Sequence, residues 1–414
     1  MVDITPFRGL IYNEEAIDDI ANVVSPPYDV VTEKRRAEIL SCSRFNILNL
    51  ILPQGEGDRK YKNASLILND WLDKKILIPD GIECFYIFEI GFRVNGVPKK
   101  MTGFIGLARI EPYSSGKILR HEKTLSGPTE DRYKLLENCR TNFGLIYTIY
   151  KPHTSITGIL DNRSRELPFI NIRPCYNRGL SFRVWRISKK EEINIIKEAM
   201  REKPLLIADG HHRYETSLLY KNRYGNDNVL IKTSDFVLTL FMDSGQEELK
   251  IYPTHRIIDF AGTSGLRPFL SAAAIKYDIT PVSINDVSDV TGILDGFKKE
   301  NNTGFIFYMK DQAFVLALKS LHSASRLDGP DVFILHDDII KDLENTFKEV
   351  KISFSHKVGD IIGDIRDGIH DLGIFLNPPT VSDMEKICYS GGLLPQKSTY
   401  FWPKPCTGLV MYRL

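Results

Sequence analysis

The stretch Pro204-Leu205-Leu206-Ile207-Ala208-Asp209-Gly210-His211-His212-Arg213-Tyr214-Glu215-Thr216 constrains the fold more than any other part of the chain. Its apolar start predicts a buried strand, Asp-Gly stops that strand, and the polar and aromatic residues that follow open a helix. Sites of open α/β sheets sit at such carboxyl ends of strands. At 3.6 residues per turn, Glu215 shares a helix face with both His211 and His212. A helix start presents amide N–H groups and a partial positive charge, so a phosphate docks there, with Arg213 as a bidentate clamp. Gly210 lets the backbone come close to that anion. The same residues also suit a capped helix with a solvated first turn, but the density of ionisable groups favours a site.

A chain of 414 residues predicts two or three domains. Its formal net charge of +1, with 26% charged residues, gives no global attraction to nucleic acid or to an anionic membrane. The six cysteines (Cys42, Cys84, Cys139, Cys175, Cys388, Cys406) lack any CxxC pair, which disfavours a zinc ribbon, a redox dithiol or a disulfide framework. The start, Met1-Val2-Asp3-Ile4-Thr5-Pro6, lacks the basic and apolar segments of a signal peptide, and no apolar run reaches the roughly 18 residues of a membrane span. A soluble, cytoplasmic protein is expected.

Apolar periodicity predicts an amphipathic helix over residues 59–75 and a hairpin of two runs, Phe85 to Val94 and Met101 to Ile110, turning at Asn95-Gly96. A helix is predicted from Pro128 to about Cys139, strands over 143–150 and Phe236 to Met242, and a charged helix over 189–201. Beyond residue 262 helices (285–300, 331–346, 380–390) alternate with runs at 303–309, 313–319 and 372–376, followed by a long loop and a last strand near 408–413. The domain boundary is therefore expected near residue 260. Residues 1–260 hold the Asp209–Glu215 box, and residues 261–414 form a C-terminal α/β region.

Several familiar chemistries fail on inspection. Gly391-Gly392-Leu393-Leu394-Pro395-Gln396-Lys397-Ser398-Thr399 has the Lys-Ser pair of a P-loop, but Gln396 replaces the necessary glycine. Lys397, Ser398 and Thr399 still suit a phosphate as a point charge with two donors. His121-Glu122-Lys123-Thr124 starts like HExxH, yet residue 125 is Leu. Glu122 is a candidate general base. His211, His212 and Glu215 offer metal-ligand chemistry without a third cluster to complete it, and no Gly-x-Ser-x-Gly nucleophile turn is present.

Five blocks together carry a resemblance. They are Pro26-Pro27-Tyr28-Asp29-Val30; His121-Glu122-Lys123-Thr124 with Asp131-Arg132; Asp209 to Glu215; Pro253-Thr254-His255-Arg256; and Lys397 to Phe401 with Pro403-Lys404. In this order they resemble the domain-of-unknown-function family numbered 1015, over about residues 5 to 412. More remotely, a strand running into Asp-Gly-x-His-Arg is similar to the nucleotide-binding box of the ParB/sulfiredoxin superfamily, which includes free-serine kinases.

The resemblance implies an α+β (mixed α/β) fold, with a ParB/sulfiredoxin-like nucleotide-binding core in residues 1–260, large insertions, and a Lys397-Ser398-Thr399 loop that returns to the site. It implies a phosphotransferase that moves a phosphoryl group from ADP or ATP to a small hydroxyl metabolite, with free L-serine as first choice. Gly210, His211, His212, Arg213, Lys397, Ser398 and Thr399 would bind nucleotide phosphates. Glu122, then Asp29, with Asp209, would be catalytic; Tyr28, His121, Arg132, His255 and Arg256 would bind substrate. Mg2+, with Glu215 as its ligand, would neutralise phosphate charge. Expected partners are the nucleotide and the small substrate, without membrane or nucleic acid; a homo-oligomer stays open. Two other readings remain: a nucleotide-dependent DNA-binding switch of the ParB type, and a metal-dependent hydrolase on the His211, His212 and Glu215 face.

Overall fold

The computed structural model describes residues 2–124, 126–224, 233–260, 266–320 and 329–414. Residue 125, the position at which the HExxH pattern fails, lies outside the described residues. The chain divides into two compact units: Met1–Arg120, Thr124–Leu249 and Pro403–Leu414 form the first; His121–Lys123 and Lys250–Trp402 form the second.

The first unit is built on a nine-stranded mixed sheet. Leu205–Asp209 pairs in parallel with Ile118–Leu119 and antiparallel to Ile146–Tyr150, which runs parallel to Phe236–Asp243. Val97–Arg109 pairs antiparallel to Phe236–Asp243 and to Phe85–Val94. The predicted hairpin turns where the sequence places it: Asn95 and Gly96 have φ of 49° and 79°. Positive φ at both central residues is the geometry whose twist matches the flanking strands. Fully buried side chains fill the sheet, with Phe104 and Phe241 stacked at 4.7 Å and Ile207 and Tyr214 in the same core. Mixed strand directions and interleaved helices make the fold mixed α/β.

The second unit carries a six-stranded sheet in the order Tyr277–Val282, Ala313–Leu318, Gly304–Tyr308, Leu372–Phe375, His255–Phe260, Val350–Ser355. Every neighbouring pair is antiparallel. Helices Val287–Lys299 and Val358–Arg366 bury Val290, Leu294, Ile361 and Ile365 in a core shared with Ile306 and Phe375 of the strands. Capping boxes, Asp286 with Asp289 and Thr380 with Asp383, start the helices predicted at 285–300 and 380–390.

Two expectations change. The division falls at Leu249–Lys250 instead of near 260, because His255–Phe260 is a strand of the second sheet. Pro403–Leu414 belongs to the first unit, so the tail is not part of a C-terminal region. Cys42 and Cys175, 133 residues apart, form one disulfide; their spacing carried no sign of it, and a single bridge is not a framework. Among the described residues, no helix is long and apolar enough to cross a membrane.

Candidate functional site

In the first unit the box forms as predicted, a buried strand Leu205–Asp209 running into a 14-residue helix, His211–Tyr224. Gly210 makes the junction with φ of 97°, and its carbonyl accepts the first helical bond, from Tyr214 N at 2.9 Å. Asp209 is tied from two sides. Its Oδ1 accepts from Lys404 Nζ at 2.6 Å and its Oδ2 from Arg213 at 2.6 Å. Lys404 also donates to Asp29 Oδ2 at 2.8 Å. The chain thus joins residues 29, 209, 213 and 404 in one network of two carboxylates and two cations. Burial pulls the Lys404 ammonium down, but Asp209 and Asp29 more than offset this and hold it above lysine's ordinary value.

Arg213 points away from the role of a free clamp. It donates to Asp209 and, at 2.5 Å, to the carbonyl of Leu145. Its guanidinium lies between two glycines: a Cβ on Gly144 would stand 2.9 Å from it, and one on Gly210 3.0 Å. The strain-tolerant backbone of Gly210 and the bare Cα of Gly144 therefore make room for Arg213. Gly210→Ala is expected to destabilise the chain by about 1–3 kcal/mol, the cost of a non-glycine residue held in such a backbone region. Gly292→Ala, at an exposed position of the Val287–Lys299 helix with open space around it, should instead stabilise by up to about 1 kcal/mol. Urea unfolding of both variants checks the contrast.

The remaining members of the helix start are near hydroxyls and ion pairs. His212 Nδ1 lies 3.1 Å from Thr129 Oγ1, and His211 is buried. Glu215 accepts from Arg120 at 2.9 Å and from Thr124 Oγ1. One oxygen of Glu215 thus meets a guanidinium and the other a hydroxyl. Tyr28 has the Arg132 guanidinium 4.2 Å from its ring centre. Arg132 in turn donates to Asp131 and, at 2.7 Å, to the carbonyl of Ile51. Asp131 also accepts from Lys60 at 2.8 Å and Tyr61 at 2.7 Å. Burial pushes its carboxyl up, yet Arg132, Lys60 and Tyr61 hold it well below the usual carboxylate range. Arg132 is thus an internal brace as well as a neighbour of Tyr28.

In the second unit His121, Glu122 and the Lys397 loop are brought together. His121 Nε2 is 2.7 Å from Thr399 Oγ1, its carbonyl accepts from Leu394 N at 2.7 Å, and Glu122 Oε2 accepts from Lys397 N at 3.0 Å. Ser398 donates to the carbonyl of Pro395. Lys397 holds the left-handed conformation, φ of 55°, with its side chain exposed. Its carbonyl accepts from Arg256 at 3.2 Å. Arg256 and His255, expected to bind substrate, are both 0% exposed. Their strand is interior, and Arg256 also donates to Thr254 O and to His336 Nε2 at 3.1 Å. Burial lowers the Arg256 guanidinium to about 10 and, with Arg256 adding to it, the His336 imidazole to about 4. Arg256 braces the loop from inside the unit.

Sequence reasoning assigned no role to Lys404 or Gly144. Lys404 had a signal, since it lies in the Pro403-Lys404 block; Gly144 had none.

No curated protein matches the chain. Among solved structures it is similar to a conserved hypothetical protein from Pyrococcus furiosus, at 12% identity over 69% of this chain and 87% of that one, TM-score 0.34. It is also similar to a free serine kinase in complex with AMP, at 11% identity over 69% and 84%, TM-score 0.35. A third likeness is to SbnI with a C-terminal truncation from Staphylococcus aureus, at 8% identity over 73% and 84%, TM-score 0.37. A family model matches residues 4–347, most of the chain and four of the five sequence blocks, and on that match the chain belongs to the family described as proteins of unknown function (DUF1015).

Proposed function

We propose that the chain is a phosphotransferase that moves a phosphoryl group from ADP or ATP to a small hydroxyl metabolite, with free L-serine as the first acceptor to test. The observation that carries this reading is the junction at Gly210. A long helix begins directly at the carboxyl end of a buried strand, and Asp209, just before the glycine, is tied down by Arg213 and by Lys404, which Asp29 holds in turn. Amide dipoles fixed in this way receive an anion without reorganising, which is the main contribution a protein makes to phosphoryl transfer. His212, with Thr129 beside its ring, adds a polar flank. The paired charges beneath the helix sum to zero, so the network orients the helix start and leaves the attraction to the dipole. No step is assigned to a protein-held magnesium ion.

Acceptor activation needs a carboxylate. Glu122 is the first candidate and Asp29 the second, in keeping with the sequence blocks that contain them. Incubating the protein with Mg2+, ADP or ATP and an amino-acid pool, followed by mass spectrometry, is expected to yield a phosphorylated hydroxyl amino acid. Glu122→Gln or Asp29→Asn should lower turnover by roughly 10²–10⁴-fold, the usual worth of a general base. If both variants stay within tenfold of wild type, neither carboxylate has that role. A nucleotide at 100 times its dissociation constant should add ~2.7 kcal/mol of stability. The absence of a thermal shift with ADP, ATP and CTP alike would refute nucleotide binding.

A further inference from the structure

In the first unit, residues of the helices Glu33–Leu40, Leu48–Ile51 and Arg59–Asp73 line an open groove with about 370 Å3 of water-accessible space. That size is within the range of small-molecule sites. Its lining residues are Arg36, Asn49, Gln54, Asn63, Leu66 and Ile67. Arg36 is 8% exposed. Among the described residues its guanidinium donates only to the Leu52 carbonyl, at 3.1 Å, and pairs with no carboxylate. Asp80, Glu89 and Arg132, as deeply buried in the same unit, each meet an opposite charge. Arginine is rarely buried without a partner, because an unpaired charge held away from water is costly. Arg36 therefore keeps its charge and most of its N–H groups for something that enters the groove.

The neutral part of the lining selects the ligand. Asn49 donates its side-chain N–H2 to the carbonyls of Arg44, at 3.0 Å, and Asn46, at 3.2 Å. Asn63 donates its own to the carbonyl of Gln54, at 3.1 Å. Both carboxamides are thus fixed with their donors turned to the protein, and among the described residues their oxygens accept no hydrogen bond. Such oxygens repel a phosphate dianion and accept from an ammonium. One guanidinium matches one carboxylate, in bidentate geometry. Leu66, 68% exposed, and Ile67 stand three and four residues after Asn63 in one helix, so they share its face and give the groove an apolar flank. A carboxylate, an ammonium and a short hydrocarbon are the three parts of a free α-amino acid with an apolar side chain. We propose that the groove binds such an amino acid. Its carboxylate lies on Arg36, its ammonium on the Asn49 and Asn63 oxygens, and its side chain against Leu66 and Ile67. This assignment goes beyond the phosphotransferase reading and does not depend on it.

The test uses the full chain, isothermal titration calorimetry and three probes. They are L-leucine, 4-methylpentanoate (leucine without its ammonium) and 3-methylbutylamine (leucine without its carboxylate). L-Leucine at about 10 mM is expected to bind the wild type, and the two truncated probes to bind at least about tenfold more weakly. Arg36→Met keeps the hydrocarbon stem and should weaken L-leucine at least about tenfold, the worth of a charge-assisted hydrogen bond. Leu66→Ser, at an exposed position where it cannot unfold the protein, should weaken L-leucine about three- to tenfold through lost apolar contact. It decides the matter should Arg36→Met fail to fold. L-Leucine that does not bind the wild type, or that binds either folded variant as it binds the wild type, overturns the assignment. Binding of 4-methylpentanoate or 3-methylbutylamine as tight as that of L-leucine overturns it too, because one of the two charged contacts is then not made.

Discussion

Lys404→Met is expected to destabilise the first unit by about 3–5 kcal/mol, the cost of leaving a buried charge without its partner. Lys404 is 10% exposed and lies between Asp29 and Asp209, so its removal leaves two carboxylates facing a single guanidinium. Asp29, at 33% exposed, can turn to water, but Asp209, at 16%, sits at the end of a buried strand and cannot. Its carboxyl should shift upward, since the cation that favoured its charged form is gone. Methionine keeps most of the hydrocarbon stem, which separates lost charge from lost packing. Lys404→Met with Asp29→Asn removes one charge of each sign and should recover part of the loss, by an amount that a double-mutant cycle reads directly. Urea unfolding followed at Trp185, which lies in the core of this unit, measures each variant. A loss below 1 kcal/mol for the single substitution would mean that water already solvates the pair, and the network would no longer explain how the helix start is held.

That network also marks the limit of what the sequence reveals. The strand, the glycine and the helix at residues 205–224 are legible because apolar run, Asp-Gly and helical pattern follow one another locally. The Asn95-Gly96 hairpin and the helix starts at Asp286 and Thr380 are legible for the same reason: each depends on residues within four positions. Lys404 is 195 residues from Asp209 and lies in a Pro- and Gly-rich tail, where local pattern carries nothing about pairing. Arg213 has the residue type of a phosphate clamp, and only the positions of Leu145 and Asp209 reveal it as a brace. Glu215 shares a helix face with both histidines, as spacing predicts, yet its oxygens are taken by Arg120 and Thr124, some 90 residues earlier in the chain. His255-Arg256 entered as substrate-binding residues through the family resemblance, and full burial of such a pair is uncommon. Their strand was legible only in Ile257 and Ile258, too short a run to set a boundary. Residue chemistry could be listed from the sequence, whereas the commitments of each side chain required the fold.

The second large effect concerns pH and the second unit. Burial, then Arg256 and His356, lower the His255 imidazole to about 3, and Arg256 adds to burial in lowering His336 to about 4. In the unfolded chain both would titrate near 6.5. Above that pH neither state binds the proton and stability is unaffected. Between 6.5 and the folded values the unfolded chain binds protons that the native one refuses, so stability falls as pH falls. At about 1.4 kcal/mol per pH unit, lowering pH from 6.5 to 4 should remove roughly 3 kcal/mol through His255 alone. His336 adds a smaller share, being partly exposed. The loss has a structural address, because His336 Nε2 accepts from Arg256, and a protonated ring can no longer do so. Arg256 in turn holds the Lys397 carbonyl, so the 397–399 loop should loosen along with the core. Hydrogen exchange of the His255–Phe260 and Leu372–Phe375 amides in the full chain, compared at pH 7 and pH 4.5 after correction for intrinsic rates, reads this unit directly. His255→Asn retains an acceptor for Leu376 N, which lies 3.4 Å from His255 Nδ1, but removes the larger of the two titrations. It should reduce the pH dependence to the share of His336 while leaving the folded structure intact. If protection in both strands is the same at the two pH values, the imidazoles are not held neutral, and the picture of an interior braced by an uncharged histidine and a buried arginine is wrong.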